Sequence, residues 1–215
     1  MIRRAMLVSV CVCLVAIYAA LRPPPPVEPP SDSRWIKVAR DGVPVDNWSG
    51  PWQCVFDQQT GLLWEVKTDN EGIHDGYWSY SWFDGTTGIA NMGDCYFEED
   101  RCDTLDLIKR VTVEKACGAS EWRLPEGNEL LSLVQRNVKP GDPAIAKDFF
   151  PFTKRGDYWT GQSRQPLTGV YRHLGEGALA VNFVAGSVVT LPYRNAAFVR
   201  LVATDYRLPA GSDGK

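Results

Sequence analysis

Two histidines, His74 and His173, are the side chains best suited to proton transfer near neutral pH. They sit in "EGIHDG" and "YRHLGEG". A Ser–His–Asp arrangement needs a histidine beside an activated nucleophile, and neither segment is a nucleophile motif. Paired carboxylates can be drawn from any chain with 26 acidic residues, so they identify no hydrolase. The expectation is a protein without catalysis and without a cofactor. Six cysteines come next, of which Cys54, Cys95, Cys102 and Cys117 lie beyond the apolar N-terminus. No CxxC pair occurs, and both histidines are far from the thiols in sequence, so no metal site is expected from them. The run "GDCYFEEDRCDTLD" brings together Asp94, Glu98, Glu99, Asp100, Asp103 and Asp106. It lacks EF-hand spacing and reads as a solvated acidic loop rather than a calcium site.

Binding chemistry is better represented. Trp48, Trp78, Tyr80 and Trp82 are candidates to stack on sugar faces, whereas Trp64, Trp122 and Trp159 are assigned to the core. A basic set, Lys139, Lys147, Lys154, Arg155, Arg164 and Arg172, is where a polyanion would bind, with Lys154, Arg155, Arg164 and Arg172 the main candidates. Net charge is −3 over 215 residues, and about −5 once the first 30 are set aside. Such a balance leaves no electrostatic footprint for nucleic acid.

Positioning these residues falls to a chain in four parts. Residues 1–22 combine a basic flank, Met1-Ile2-Arg3-Arg4, with an apolar run from Ala5 to Leu21. That run just meets the lower limit of about 17 residues for a membrane span. Ile17 and Tyr18 make poor −3 residues for signal cleavage after Ala19 or Ala20. An uncleaved anchor in the bacterial inner membrane is expected, with the C-terminal part in the periplasm; secretion after cleavage is the alternative. Residues 23–33 hold "PPPPVEPP", a stiff polyproline spacer. Residues 34–208 form the folded domain and 209–215 a flexible tail.

Within the domain, 34–45 reads as a strand turning at Asp41-Gly42, and 52–66 as a hairpin turning at Thr60-Gly61. Residues 77–85 are extended, with Trp78, Tyr80 and Trp82 on one side. Helices are expected over 104–116, with Asp103 as N-cap and Gly118 as the stop, and over 127–135. A hairpin over 178–191 and a strand over 197–205 follow, in an arrangement where the terminal strands could pair. This is an α+β arrangement. An even cysteine count in an exported domain implies two disulfides. A helix over 104–116 holds Cys102 and Cys117 roughly 20 Å apart, beyond bridging range. That weakens one of the three possible pairings, and of the other two Cys95–Cys102, a small closed loop, with Cys54–Cys117 is favoured.

The segments "CVFDQQTGLLWEVKT", "YSWFD", "CDTLDLIKRVTVEKACGASEWRLPEGNELLSLV", "FFPFTKRGDYWTGQS", "AVNF" and "FVRLV" occur in an order that resembles the C-terminal domain family of the Legionella collagen-like adhesin. The resemblance covers about 34–203, and "WRLP" with the following helix is its most specific part. It implies a C-type-lectin-like fold and a binding role, the founding domain being one that takes sulfated polysaccharides. Trp122, Leu124 and Pro125 then become near-core residues that turn the chain, and Arg123 a donor to loop carbonyls or a carboxylate. This chain has Glu126 where the family usually has an N-capping Thr, and a proline spacer where the adhesin has collagen repeats. A tethered domain recognising a glycan or envelope component is the expected function. A protein–protein accessory of a secretion, pilus or envelope-assembly system is the alternative.

Overall fold

The computed structural model describes residues 34–95 and 101–209. The anchor, the proline spacer, Glu98, Glu99 and Asp100 of the acidic run, and the tail from residue 210 lie outside the described residues. Among the described residues no helix is long and apolar enough to cross a membrane.

Local signals place the first four strands. Trp35–Val38 (β1) turns back as Pro44–Val45 (β2) through Gly42, whose φ of +86° few other residues adopt. A Cβ there would also lie 2.9 Å from the Cys117 carbonyl oxygen. Cys54–Asp57 (β3) and Leu62–Glu65 (β4) form the expected hairpin, closed by Gly61 donating to the Asp57 carbonyl at 2.8 Å. Val202–Ala203 (β10) pairs on one side with β4 and on the other with Trp122–Arg123 (β5). The sheet order is β2-β1-β3-β4-β10-β5, and every pair is antiparallel. The first and last strands thus share a sheet without pairing, because the β3–β4 hairpin inserts between them. A second sheet centres on Glu176–Asn182 (β8), which pairs with Asp157–Trp159 (β6), Gln165–Pro166 (β7) and Ser187–Leu191 (β9). The α+β class and both disulfides are as expected, with Cα separations of 6.3 Å for Cys54–Cys117 and 5.4 Å for Cys95–Cys102. The architecture is consistent with a C-type-lectin-like fold.

Alternation along the central strands buries both faces of the larger sheet. Leu63 and Ala203 face one core, with Leu107, Val111 and Trp122. Trp64 and Val202 face another, with Leu130, Leu133, Phe149 and Phe150. A strand covered on both faces reads as a continuous apolar run rather than an alternating one, which is the pattern of "LLW".

Both helices are shorter than their sequence patterns. Thr104–Glu114 (α1) starts at Asp103, whose Oδ1 accepts from the Asp106 N–H at 2.9 Å. It ends at Lys115, which takes a left-handed conformation before Gly118 is reached. A 3-10 turn over Ala116–Gly118 then carries the buried Cys117 toward Cys54. Gly127–Leu131 (α2) stops four residues early. Arg34 Nη1 takes the Ser132 carbonyl at 3.0 Å, an acceptor that a longer helix would use internally. The extended segment at 77–85 appears as isolated bridges, including Tyr80 to Ala197 and Ser79 to Asp94.

Candidate functional site

The chain leaves β4 into a loop rich in Asp, Asn and Gly, "TDNEGIHDGYW", where side chains replace ladder hydrogen bonds. Asp75 is buried and uses both carboxylate oxygens locally: Oδ2 accepts from the Glu71 N–H and Oδ1 from the Tyr77 N–H, each at 2.8 Å. Thr68 and Gly76 pair through a 2.9 Å backbone bond, and Trp78 donates its indole N–H to the Gly72 carbonyl at 2.8 Å. A Cβ on Gly76 would fall 2.4 Å from the Phe152 carbonyl oxygen, so only glycine allows this approach. On the opposite rim Asp94 is fixed by reciprocal backbone bonds with Ser79, and its neighbour Cys95 is bridged to Cys102.

These constraints open a cleft of about 410 Å³ lined by Asp69, Glu71, Asp75, Tyr77, Trp78 and Asp94. Tyr77 is 65% exposed. Lys154 holds its ammonium 3.3 Å from the centroid of that ring. The Lys154 backbone is in turn pinned by the buried Tyr158 hydroxyl, which accepts from the Lys154 N–H at 2.9 Å and donates to its carbonyl at 3.1 Å. Among the described residues, Asp69, Glu71 and Asp94 have no ion-pair partner.

The loop rests on a buried charge cluster. His74 lies between two carboxylates, its Nδ1 2.8 Å from Glu65 Oε1 and its Nε2 3.0 Å from Glu114 Oε2. Lys67 donates to Glu65 Oε1 at 2.8 Å, and the Leu201 N–H donates to Oε2 at 2.9 Å. Arg200 spans the Glu65 carbonyl and Thr153 Oγ1. Burial pushes the Glu65 carboxyl up, but Lys67, His74 and the Leu201 N–H outweigh it and hold it down at about 2. With both ring nitrogens engaged by carboxylates, His74 positions the loop and leaves no lone pair facing the cleft. Among the described residues no group of three or more His, Cys, Asp or Glu is arranged to hold a metal ion.

The structure separates the sequence-derived candidates. Trp78 lines the cleft and Lys154 sits at its rim. Tyr80 and Trp82 do not present stacking faces: each is 2% exposed, and they fill the core against Leu107 and Trp159. Their side of the 77–85 segment turns inward because Tyr80 and Trp82 pair with Ala197 and Tyr193 through the backbone. Trp48 is 73% exposed, but in the loop between β2 and β3 and outside the cleft. Arg155 and Arg172 are exposed, the latter on a 3-10 turn over Gly169–Leu174, and Arg164 reaches Thr87 instead. The basic set does not converge on this cleft. Sequence reasoning missed Asp69, Glu71, Asp75 and Tyr77. Their signal was turn-forming residues interleaved with acids directly before an aromatic pair. Trp64, Trp122 and Trp159 are core residues as expected. Arg123 is as expected too: its fork meets Glu129 at 2.7 and 2.8 Å, and Nη1 also donates to the Leu124 carbonyl at 3.0 Å.

Residues 53–203 match the family model described as the Lcl C-terminal domain. The match begins just before β3, so β1 and β2 lie outside it, although β1 pairs with β3 and supplies Trp35 to the core. No curated protein matches the chain. No solved structure matches it either.

Proposed function

This chain belongs to the Lcl C-terminal domain family, and we propose that it is a non-catalytic binding domain that recognises a glycan at the 69–78 cleft. A binding or adhesion role is what the family supports. The glycan and the site are our reading, carried by one observation: Tyr77 and Trp78 line the same cleft as Asp69, Glu71 and Asp94, none of which is ion-paired among the described residues. Sugars offer C–H faces that stack on aromatic rings and hydroxyls that donate to carboxylates, and this cleft supplies both partners. In the same reading residues 1–22 tether the domain to the inner membrane and 23–33 hold it off the surface, in the periplasm.

Tyr77→Ala tests the site. Its ring is largely exposed, so thermal unfolding should be unchanged, while affinity for a glycan identified on an array should fall about tenfold. Retained affinity in a folded variant would reject the cleft. The accessory-subunit reading is favoured by a different feature, the turn over Gly169–Leu174. None of its residues is buried, and Val170, Tyr171 and Leu174 are 80%, 40% and 39% exposed. Crosslinking at position 170 in the envelope, with capture of a protein lost on Val170→Asp, would support that role instead.

A further inference from the structure

We infer that the ligand of this cleft carries a protonated amine, as a hexosamine unit lacking its N-acetyl group does, and that Lys154 is the resident cation such a ligand displaces. The inference rests on the glycan reading and adds the charge of the sugar. Three observations carry it. The cleft itself is a cavity of about 410 Å³ with an aromatic wall, so a group of sugar size has somewhere to sit. Asp69, Glu71 and Asp94 line it from two separate stretches of chain, and among the described residues none is ion-paired. Above all, an ammonium already occupies the Tyr77 ring at 3.3 Å. No carboxylate among the described residues pairs with Lys154, so its cation is placed by the ring quadrupole and by the negative field of the cleft.

The sign of this site is opposite to what a sulfated ligand needs. A sulfate brought beside three carboxylates meets like charge, and the Lys154 ammonium at the rim is turned onto an aromatic face. An amine-bearing sugar gains on each count: its ring stacks on Tyr77 or Trp78, its hydroxyls donate to carboxylates, and its ammonium replaces that of Lys154. Lys154 then acts as a specificity-determining residue. It competes with weakly bound cations, and its removal frees the ring and makes the cleft one charge more negative.

The test is calorimetry on the full chain at pH 6 with three probes: a glucosamine tetramer, an N-acetylglucosamine tetramer and a heparin-derived tetrasaccharide. The free-amine tetramer should bind about tenfold more tightly than its acetylated counterpart, and the sulfated probe most weakly. Lys154→Met should tighten the free-amine tetramer about fivefold, consistent with release of one cation–π contact. Glu71→Gln should weaken that probe and leave the acetylated one unchanged. Equal binding of the two unsulfated tetramers would overturn the amine inference while leaving the glycan reading intact. Preference for the sulfated probe, or weaker free-amine binding by Lys154→Met, would overturn it as well. No binding of any sugar, with or without binding of a lysine-rich peptide, would overturn both readings.

Discussion

At residue scale the most consequential position is Glu65, a carboxylate 1% exposed at the end of β4. It is stable there because donors surround it: Lys67 and His74 on one oxygen, the Leu201 N–H on the other. Its carboxyl lies at about 2 in the folded chain, against an ordinary value of 4.5. A depressed folded value means stability that is present above the unfolded pKa and lost as pH falls through the folded one. Glu65 therefore contributes about 3 kcal/mol at neutral pH, withdrawn between about pH 4.5 and 2. Glu65→Gln should cost about 3–5 kcal/mol by leaving Lys67 buried beside a neutral partner. It should also flatten the acid limb of stability, which urea unfolding between pH 6 and 2 measures; a limb as steep as in the unaltered chain would show that other carboxylates govern it. Individual residues are unevenly readable in the sequence. Arg123 is readable, since a five-donor fork between two elements has few uses other than satisfying them. Tyr80 and Trp82 are not, because alternation shows that they share a face and says nothing about whether that face meets water or a second layer.

At the scale of elements, the turn from α1 into α2 is the clearest case of sequence dictating geometry. Arg123 grips Glu129, and Glu129 Oε2 in turn accepts from the Glu126 N–H at 2.7 Å, so the carboxylate closes the start of α2 from inside the helix. The next N–H, that of Gly127, is taken by Gln162 Oε1 at 2.8 Å, so two donors at this helix start are satisfied without a capping threonine. Burial pushes Glu129 up, but Arg123 and the Glu126 N–H outweigh it and hold the carboxyl below its usual range. Arg123→Lys keeps the charge and loses the two-pronged contact, and should cost about 1 kcal/mol because the pair is partly exposed. Thermal unfolding would detect it; no change would mean that Glu129 caps α2 unaided. Helix starts are readable because caps are local. Helix ends are not, because they are set from elsewhere: Arg34 captures the Ser132 carbonyl, and Cys117 must reach Cys54.

At the scale of the molecule, two layers of core lie on either face of one sheet, and the β3–β4 hairpin at its centre delivers the site loop. That Cys102 and Cys117 do not pair is legible in the residue order, because a single helix separates them; that Cys117 reaches Cys54 depends on the turn after that helix. The sheet order is not, since the pairing of a two-residue strand such as β10 is decided by two partners distant in sequence, β4 near residue 63 and β5 near residue 122. The cleft is hidden in the sequence for a related reason. Asp94 joins Asp69 and Glu71 only through the Ser79 bridge, a contact between segments with no shared pattern.

The central claim is that this cleft, and no other surface, meets the ligand. Amide shift mapping of the isotope-labelled full chain, titrated with the free-amine tetramer, tests it directly. The account predicts shifts confined to residues 69–78, Asp94 and the backbone around Lys154, with the Gly169–Leu174 turn and the loop carrying Trp48 unmoved. Shifts centred on Trp48, or on Val170 and Tyr171, with Asp69 to Trp78 silent would contradict it.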